Sequence, residues 1–425
     1  MNKDILSTLF VGIDVSSASN YFCAINFEGK HLLDFSIANN LPSSELAIER
    51  IFNTLKQNNL KFVTIVLEST NVFSFHIANL LASNNSLFNF NSKVFVINPK
   101  ESSNFRKTYS DIDKTDPKDA FVLADMARCG RIKQQPYKAS QLFALQRLTR
   151  QRFHLVKTIM REKAYMMSNI YLKFSSLYIS KKEDEPFSNM FGNTSKSIIS
   201  DFTPDDIVNM SDEDMINFIM DKGKSRFSNP EENVKLLKKI ARDSYRLDKV
   251  AYDPINVAIS SSFNTIKALE DNLKVIDKAI EKNIKGLCDN EFTILKSIPG
   301  IGDVYAAGII SEIGSIEFFK DNNALAKYAG LTWRKTQSGY FESETTRMTK
   351  TGNKYLRYYL IEAVSSVKNH SIEFKDFYTR KYNEVSHGAH KRALALSARK
   401  LVRLIFGLLH HNQLYSAIKL DNCKN

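Results

Sequence analysis

The order of apolar and polar segments in the N-terminal third is the feature that most constrains this chain. Three apolar segments separated by short turns, Phe10–Val15, Tyr21–Phe27 and His31–Ile37, predict an antiparallel meander. Helix and strand patterns then alternate: helix Pro42–Leu55, strand Lys61–Glu68, helix Val72–Leu81, strand Ser92–Asn98 and a helix ending near Arg128. This order predicts an α/β domain with a mixed sheet and helices packed on its faces.

The stretch Lys114–Ala120 opens the last of these helices. Thr115 or Asp116 can cap the helix, and Pro117 suits a first turn, where a missing N–H is tolerated. Asp116 and Asp119 are three residues apart, so their carboxylates share one helix face. Such a pair indicates either an oxygen-bound divalent cation such as Mg²⁺ or an acidic first turn that complements the helix dipole.

Two further acids, Asp14 and Glu68, stand near the ends of predicted apolar strands. An acid at a strand end can leave the core and point into a cleft, although many such acids are simply solvated. If Asp14, Glu68, Asp116 and Asp119 converge, they can hold the ions of a two-metal phosphoryl-transfer site.

The net charge and the cysteine pattern indicate which partners and which cellular compartment to expect. The formal charge is +13 for 425 residues, which favours an anionic partner and nucleic acid first, although some basic proteins bind none. The four cysteines are far apart, with neither metal-ligand spacing nor a disulfide pattern, as is typical of a reducing cytosol. No signal peptide or membrane-length apolar run is recognised, so we expect a cytoplasmic, nucleoid-associated protein.

Long helices are predicted in the middle of the chain. From Gln141 onward, leucines recur at helical spacing among basic residues that include Arg147 and Arg150, and this face either contacts nucleic acid or is solvated. Ile266 to Leu287 shows the three-four alternation of a coiled-coil seam, with the polar Asn283 in one position. The seam predicts a homo-oligomer, a dimer or a tetramer, or packing against the first long helix of the same chain, and both can hold.

The C-terminal region contains two candidate nucleic-acid elements. Ile298–Gly302 lies between apolar helices and predicts a helix-hairpin-helix, in which Gly300 and Gly302 bring backbone N–H groups to a phosphate; the alternative is a tight helix corner. Ser338 lies in a basic loop, where a lone serine is usually a turn residue. Six basic residues around it either clamp phosphates or only solubilise the loop: Arg334, Lys335, Arg347, Lys350, Lys354 and Arg357. A basic helical tail is predicted from Tyr378 to His411.

These motifs together resemble the DEDD insertion-sequence transposases. The resemblance rests on Gly12–Val15, Glu68–Thr70, Asn98-Pro99, Lys114–Ala120 and the run from Ile298 to Leu360. It implies an RNase H-like domain similar to the RuvC Holliday-junction resolvase, with Asp14, Glu68, Asp116 and Asp119 as catalytic Mg²⁺ or Mn²⁺ ligands. Three nearby acids fall outside the family pattern and are expected to be solvated or capping: Asp111, Asp113 and Asp125.

The same resemblance assigns a chemical role to Ser338. It matches the family's nucleophilic serine, which attacks DNA and holds it as a phosphoserine. Because no Ser-His-Asp arrangement surrounds it, activation would come from metal or carboxylates, and a composite site, formed even between subunits, is a hypothesis. The family also implies a bridge RNA that selects target and donor DNA.

The expected organisation has three parts. Residues 1–140 form a RuvC-like catalytic domain, residues 141–290 a helical coiled-coil domain, and residues 291–425 a mainly helical transposase domain. The expected function is that of a DNA transposase or recombinase acting on the element ends and the target. The alternatives are a DNA invertase of the same family, a metal-dependent junction-resolving nuclease, and an inactive nucleic-acid-binding protein.

Overall fold

A computed structural model describes residues 3–109, 113, 115–132, 136–137, 142–179, 185–285, 289–333, 337–338, 341–342 and 348–416. These residues form two compact units. The first comprises Met1–Phe143 together with Ser315–Lys320, and the second comprises Ala144–Gly314 with Asp321–Asn425. The change near Phe143 lies close to the predicted boundary at 140. The helical middle and the C-terminal region belong to one unit here, and their division into separate domains stays a prediction.

The first unit is a mixed α/β structure. Its strands are β1 (Thr8–Val15), β2 (Ser19–Ile25), β3 (His31–Ala38), β4 (Phe62–Glu68) and β5 (Lys93–Ile97), and its helices are α1 (Lys3–Leu6), α2 (Leu41–Gln57), α3 (Phe73–Ser83), α4 (Asn85–Phe88), α5 (Pro99–Arg106) and α6 (Asp116–Arg128). The sheet order is β3-β2-β1-β4-β5. β1 to β3 are antiparallel neighbours, whereas β4 and β5 run parallel to β1. The predicted meander and mixed sheet are confirmed, and the strand order is compatible with an RNase H-like fold.

Two apolar layers cover the faces of this sheet. On one face, alternate residues of β1 such as Leu9 and Val11 pack with α2 and α3. On the other face, Phe10 and its neighbours pack with Ala120, Leu123 and Ala124 of α6. Successive strand residues point to opposite faces, so one strand contributes side chains to both layers. The sequence of such a strand is therefore a continuous apolar run.

The second unit is almost entirely helical. Its helices are α7 (Phe143–Lys173), α8 (Ser175–Ile179), α9 (Asn193–Asp201), α10 (Pro204–Asn209), α11 (Asp212–Gly223), α12 (Pro230–Asp243), α13 (Lys249–Ile284), α14 (Asp289–Lys296), α15 (Asp303–Ile313), α16 (Asn322–Ala329), α17 (Lys354–His370), α18 (Ile372–Asn383) and α19 (Ala389–His410). Short strands β6 (Gln337–Ser338) and β7 (Phe341–Glu342) form an antiparallel hairpin between α16 and α17. A 3₁₀ helix spans Ile316–Phe318, in the segment Ser315–Lys320 that belongs to the first unit. No described helix has both the length and the apolar character needed to cross a membrane.

The two long helices pair within the chain. Arg152 of α7 contacts Asp277 of α13 at 2.7 Å, and Lys163 contacts Glu270 at 3.0 Å, so the helices run antiparallel. Helices α8 to α12 cover one end of this pair and share its apolar core. Asn283, the polar residue of the predicted seam, donates to Ala279 O of its own helix at 2.9 Å. Intramolecular packing therefore accounts for part of the seam, and oligomerisation stays a prediction.

The basic tail is not one continuous helix. It divides into α18 and α19, separated by residues 384–388, and Gly388 precedes α19 with φ +65°. A left-handed residue cannot continue a right-handed helix, and glycine adopts that conformation at little cost. The prediction of helical structure from Tyr378 to His411 was correct in type, but it missed this break.

Candidate active site

Two of the predicted catalytic acids stand side by side at one edge of the sheet. Ile13 of β1 pairs with Leu67 of the parallel strand β4, and Asp14 and Glu68 each follow the paired residue. Carboxyl ends of parallel strands meet at the same edge, where α/β proteins commonly bind ligands. The sheet register therefore brings together two acids that are far apart in the sequence.

Both acids also point to the same face of the sheet. Phe10 and Val66 pack in the layer formed with α6. Asp14 lies four residues beyond Phe10, and Glu68 lies two beyond Val66, so strand alternation directs them to that face. Each is partly buried. This face is the one that α6 covers.

A glycine lets α6 approach closely enough to bring its acids to this edge. A Cβ on Gly12 would lie 1.9 Å from Ala120 O and 2.5 Å from Ala124 N, so only glycine fits there. Asp116 and Asp119 occupy the first turn of α6, and Thr115 has extended N-cap geometry. The contact with Gly12 therefore sets the helix start beside the strand ends, with Asp116 exposed and Asp119 partly buried.

Helix α5 contributes two contacts that the sequence did not reveal. Asn98 caps this helix by accepting from Lys100 N at 2.9 Å, and Pro99 occupies its first turn. One turn later, the buried Ser102 hydroxyl donates to Glu68 Oε1. At the helix end, Arg106 forms an ion pair with Asp119. The only sequence signal for these contacts was the Asn-Pro motif, which starts the helix that carries Ser102 and Arg106.

The donor chemistry of this edge fits a hard divalent cation. All four groups are carboxylates, the ligands that Mg²⁺ and Mn²⁺ prefer. The Asp119 side chain is only 16% exposed, and its charge is compensated by the Arg106 guanidinium. Among the described residues, no three of the four acids bring ligand atoms within 4.8 Å of one another. The structure thus orders the acids around one sheet edge, with a protein cation against Asp119.

Asp125 was expected to be solvated or capping, and the structure contradicts this. It is 7% exposed, accepts a hydrogen bond from Tyr109 Oη, and receives Arg128 Nε at 2.6 Å. Burial, together with the hydrogen bond and the charge of Asp125, raises the pKa of Tyr109. Asp125 lies on the same helix as Asp119, but its two partners give it a structural role.

The other two acids outside the family pattern are Asp113 and Asp111. Asp113 pairs with Lys118 at 2.9 Å on the surface, and Asp111 lies outside the described residues.

The second unit presents the backbone of Ser338 on a small hairpin. Ser338 of β6 pairs with Phe341 of β7, although its side chain lies outside the described part of the chain. The base of the loop is closed by Thr349 N, which donates to Thr332 O at 2.8 Å. Three predicted phosphate clamps, Arg334, Lys335 and Arg347, also lie outside the described residues.

A buried carboxylate anchors the helix that follows this loop. Glu312 of α15 has a fully buried side chain. It accepts hydrogen bonds from Arg150 Nε at 2.7 Å and from Arg150 Nη2 at 2.9 Å. Glu312 also accepts a hydrogen bond from Asn353 Nδ2 at 2.6 Å. The other side-chain atom of this residue, Asn353 Oδ1, caps the start of α17 by accepting a hydrogen bond from Tyr355 N. Sequence reasoning missed Glu312, which stands in an apolar helix without a local motif. Its contacts fix the position at which the serine loop returns to the helical core.

The predicted nucleic-acid-binding cations divide into two groups. Arg150 is held by Glu312, and Arg357 Nη1 donates to Ala329 O at the C-terminus of α16 at 3.0 Å. Burial opposes the charge of Arg150, but the hydrogen bond and attraction from Glu312 outweigh it and raise its pKa. By contrast, Arg147, Lys350 and Lys354 are exposed. The exposed residues are therefore the better candidates for phosphate contact, whereas Arg150 and Arg357 have demonstrable structural partners.

The two glycines of the turn between α14 and α15 differ in their surroundings. Gly300 has φ +94°, and a Cβ there would lie 2.8 Å from Val367 Cα, so this glycine is required by packing against α17. Gly302 precedes α15 and has no atom within 4 Å of an added Cβ, leaving its backbone accessible. Asp303 in the first turn of α15 pairs with Lys296 at 2.7 Å. Gly300 therefore forms the tight corner, and phosphate binding at Gly302 stays a prediction.

Comparison with known proteins identifies the same two regions. Residues 11–173, which contain the acid quartet, match a family described as transposase, DEDD_Tnp_IS110. Residues 292–379, which contain the glycine turn and Ser338, match the transposase IS116/IS110/IS902 family. A relative from Streptomyces clavuligerus, the insertion element IS116 uncharacterized 44.8 kDa protein, is 26% identical over 149 residues.

That alignment covers 35% of this chain and 36% of the relative, so this chain spans about a third of the relative's length. The two family matches carry more weight, because they cover separate regions in the order expected for one type of transposase. The N-terminal acids and the C-terminal serine loop each fall within their matching segment. Both matched regions therefore resemble transposases of the IS116/IS110/IS902 type.

Proposed function

We propose that this protein is a DNA transposase or recombinase that cuts and rejoins the strands of an insertion sequence. The observation that supports this most strongly is the assembly of Asp14, Glu68, Asp116 and Asp119 around one sheet edge. Carboxylates gathered at one sheet edge are the ligands that a hard divalent cation prefers, which supports a metal-dependent phosphoryl-transfer site. The matches to transposase families make DNA the first substrate to test.

A divalent metal, Mg²⁺ or Mn²⁺, would be held by these four acids. When bound, it would activate the attacking oxygen and stabilise charge on the leaving oxygen. Ser102 orients Glu68 through its hydroxyl, so the protein prepares this ligand before metal arrives. The Arg106 guanidinium neutralises Asp119 and occupies the place that a metal cation would take beside it.

Ser338 would supply the nucleophile. Its hydroxyl would attack a DNA phosphorus, form a phosphoserine bond and release the 3′- or 5′-hydroxyl of the broken strand; a strand hydroxyl would reverse this step in rejoining. Lys350 and Lys354 are exposed near the end of the loop and are suited to bind phosphate oxygens. Arg334, Lys335 and Arg347 are proposed for the same role from the sequence alone.

The choice of DNA sequence is proposed to come from a bridge RNA. The strong positive charge suits contact with a phosphate backbone, while base pairing between RNA and DNA would supply the sequence information. A discrete RNA that copurifies and is required for strand exchange is the expected result. Full activity of an RNA-free preparation would exclude this part of the proposal.

Formation of a covalent protein–DNA adduct tests the proposed chemistry. The full chain is incubated with Mg²⁺, the DNA ends of its element and RNA transcribed from the flanking region, and adducts are separated on a denaturing gel. We expect an adduct with the wild type and its loss, by more than 10³-fold, in both Ser338→Ala and Asp116→Ala. Lys235→Ala, remote from both candidate sites in the sequence, serves as a surface control.

Each alternative gives a different pattern in this assay. Cleavage that persists in Ser338→Ala without an adduct would identify a metal-dependent nuclease and overturn the serine assignment. DNA binding without cleavage under all these conditions would favour an inactive binding protein. The orientation of the rejoined DNA distinguishes transposition from inversion, because both use the same strand chemistry.

Arg106→Gln tests whether the guanidinium competes with metal at the acid edge. Loss of the Arg106 guanidinium leaves Asp119 without its ion-pair partner. The affinity for Mn²⁺ should therefore rise about tenfold, equivalent to about 1.4 kcal/mol. Free Mn²⁺ can be measured by its electron paramagnetic resonance signal during titration. Lys107→Gln, an exposed neighbour, is the matched control. Weaker Mn²⁺ binding in Arg106→Gln would mean that Arg106 positions Asp119 for the metal instead of competing with it.

A further inference from the structure

A second cluster of metal-ligating side chains lies on the antiparallel part of the sheet. Cys23 of β2, His31 and Asp34 of β3 bring one ligand atom each within 4.8 Å of the others. Cys23 Sγ lies 3.7 Å from His31 Nδ1, and His31 Nδ1 lies 2.6 Å from Asp34 Oδ2. None of these residues belongs to the acid quartet.

A β-bulge creates this cluster. Cys23 pairs with Asp34 and Ala24 with Leu33, but the next pair is Ile25 with His31, so Leu32 is an extra residue in β3. Residues three apart in a regular strand point to opposite faces. The inserted residue reverses that relation and turns His31 to the face of Cys23 and Asp34. Bulges commonly re-aim one side chain in this way.

The surroundings hold the imidazole in place. His31 stacks on Phe121 of α6, with ring centroids 5.2 Å apart and planes 10° apart. Cys23 is fully buried, whereas the side chains of His31 and Asp34 are 50% and 37% exposed. The cluster therefore has a buried sulfur at its base and two ligands at the surface, and a cation can reach it from solvent.

The geometry does not suit a Cys-His-Asp catalytic triad. In a triad the histidine uses one ring nitrogen for the nucleophile and the other for the acid. Here Cys23 Sγ and Asp34 Oδ2 both face Nδ1 of His31. Burial and then the negative charge of Asp34 raise the pKa of the Cys23 thiol, which is the opposite of nucleophile activation. Three donors that converge on one point instead resemble a ligand set.

We propose that Cys23, His31 and Asp34 bind a zinc-type divalent transition metal, with a fourth position open to water. Zn²⁺ bonds of about 2.3 Å to sulfur and about 2.0–2.1 Å to nitrogen place those atoms about 3.6 Å apart in a tetrahedron. The observed separation of 3.7 Å agrees with this value. The nitrogen–oxygen separation of 2.6 Å must widen to about 3.4 Å, and the Asp34 side chain is 37% exposed, so it has solvent into which it can turn.

Binding replaces hydrogen bonds by coordination. The Cys23 thiol releases its proton to solvent, His31 binds through the Nδ1 lone pair with its proton on Nε2, and Asp34 binds as a carboxylate. The metal would join β2 to the bulged end of β3 and, through His31 and Phe121, support α6. A mixed sulfur, nitrogen and oxygen set selects Zn²⁺ or Co²⁺ over Mg²⁺. This separates the site from the all-oxygen acid quartet, and the inference does not depend on the proposed DNA chemistry.

Cobalt(II) titration tests the proposal, because a cobalt–thiolate bond gives an intense near-ultraviolet charge-transfer band. The full, untagged chain is stripped with chelator under reducing conditions and titrated with Co²⁺ in excess Mg²⁺, which occupies oxygen-only sites. We expect one equivalent of thiolate-bound Co²⁺, displaced by Zn²⁺. The band should be lost in Cys23→Ser. In His31→Ala the affinity for Co²⁺ should fall at least tenfold. Cys129→Ser, which removes an exposed cysteine, should leave it unchanged.

Zinc should also raise the melting temperature of the wild type but not that of Cys23→Ser or His31→Ala. His31 is half exposed, so its alanine variant is expected to fold, and circular dichroism checks this. The proposal is overturned if wild type gives no stoichiometric thiolate band, which would leave a hydrogen-bonded trio. It is equally overturned if the band persists in Cys23→Ser or disappears in Cys129→Ser, since either result places the metal on another cysteine.

Discussion

Arg150→Ala is expected to lower the free energy of unfolding of the second unit by about 3–5 kcal/mol. The substitution removes both guanidinium hydrogen bonds to Glu312, whose side chain is fully buried. A buried carboxylate without its cation retains the desolvation penalty and loses the compensating attraction. Trp333, the single tryptophan, lies in this unit at the base of the serine loop, so its fluorescence during urea unfolding provides the measurement.

Two comparisons distinguish this structural role from a nucleic-acid contact. Arg147→Ala, an exposed change one turn earlier on α7, should alter stability by no more than about 0.5 kcal/mol. The double variant Arg150→Met with Glu312→Gln removes the unpaired charge and should recover at least about 1 kcal/mol relative to Arg150→Ala. If Arg150→Ala leaves stability intact and weakens only DNA binding, the ion pair is not the main function of Arg150.

Gly12→Ala is expected to have the largest effect on the first unit. The new methyl group would collide with Ala120 O and Ala124 N, which are backbone atoms and cannot move without displacing α6. Overpacking of this kind costs about 1–3 kcal/mol, or more where a helix must shift. Because α6 carries Asp116 and Asp119, a displacement near 1 Å should also reduce strand cleavage by about 10²-fold. Hydrogen exchange of β1 and α6 amides and the adduct assay measure the two effects.

Gly407→Ala provides the control for adding a methyl group to a glycine. Gly407 lies within α19 and has open space around its Cβ position. Alanine there should stabilise the helix by up to about 1 kcal/mol, since glycine is the poorer helix former. Unchanged exchange and cleavage in Gly12→Ala would show that α6 is not held by this close approach, and the argument for the position of its acids would fail.

The first unit could be predicted from the sequence because its signals are local. Alternating apolar segments, turn residues and the proline in α6 each act within a few residues, so the five strands and the helices α2, α3 and α6 were found with small errors at their ends. The short helices α1, α4 and α5 were not predicted. The motifs Gly12–Asp14 and Lys114–Ala120 also named the acids. What these motifs could not supply was the reason for Gly12, which depends on α6, more than 100 residues further along the chain.

Long-range polar contacts were beyond prediction. Ser102 with Glu68, Arg106 with Asp119 and the buried Glu312 join residues whose sequence neighbours carry no sign of the partner. Asp125 was predicted to be solvated or capping because it falls outside the family pattern, and only the structure shows that it is buried against Tyr109 and Arg128. Burial of a charge depends on which elements pack over it, and this is not a local property.

The sequence by itself determined the order of the main elements, the mixed sheet and the two long helices, because hydrophobic periodicity and turn chemistry act over short distances along the chain. The acid quartet was identified from its motifs. Only the tertiary structure decided which charges are paired, which glycine is required for packing and which strand residue is re-aimed by a bulge. Those outcomes depend on contacts between distant segments, because close packing fixes distances and burial only after the elements have come together.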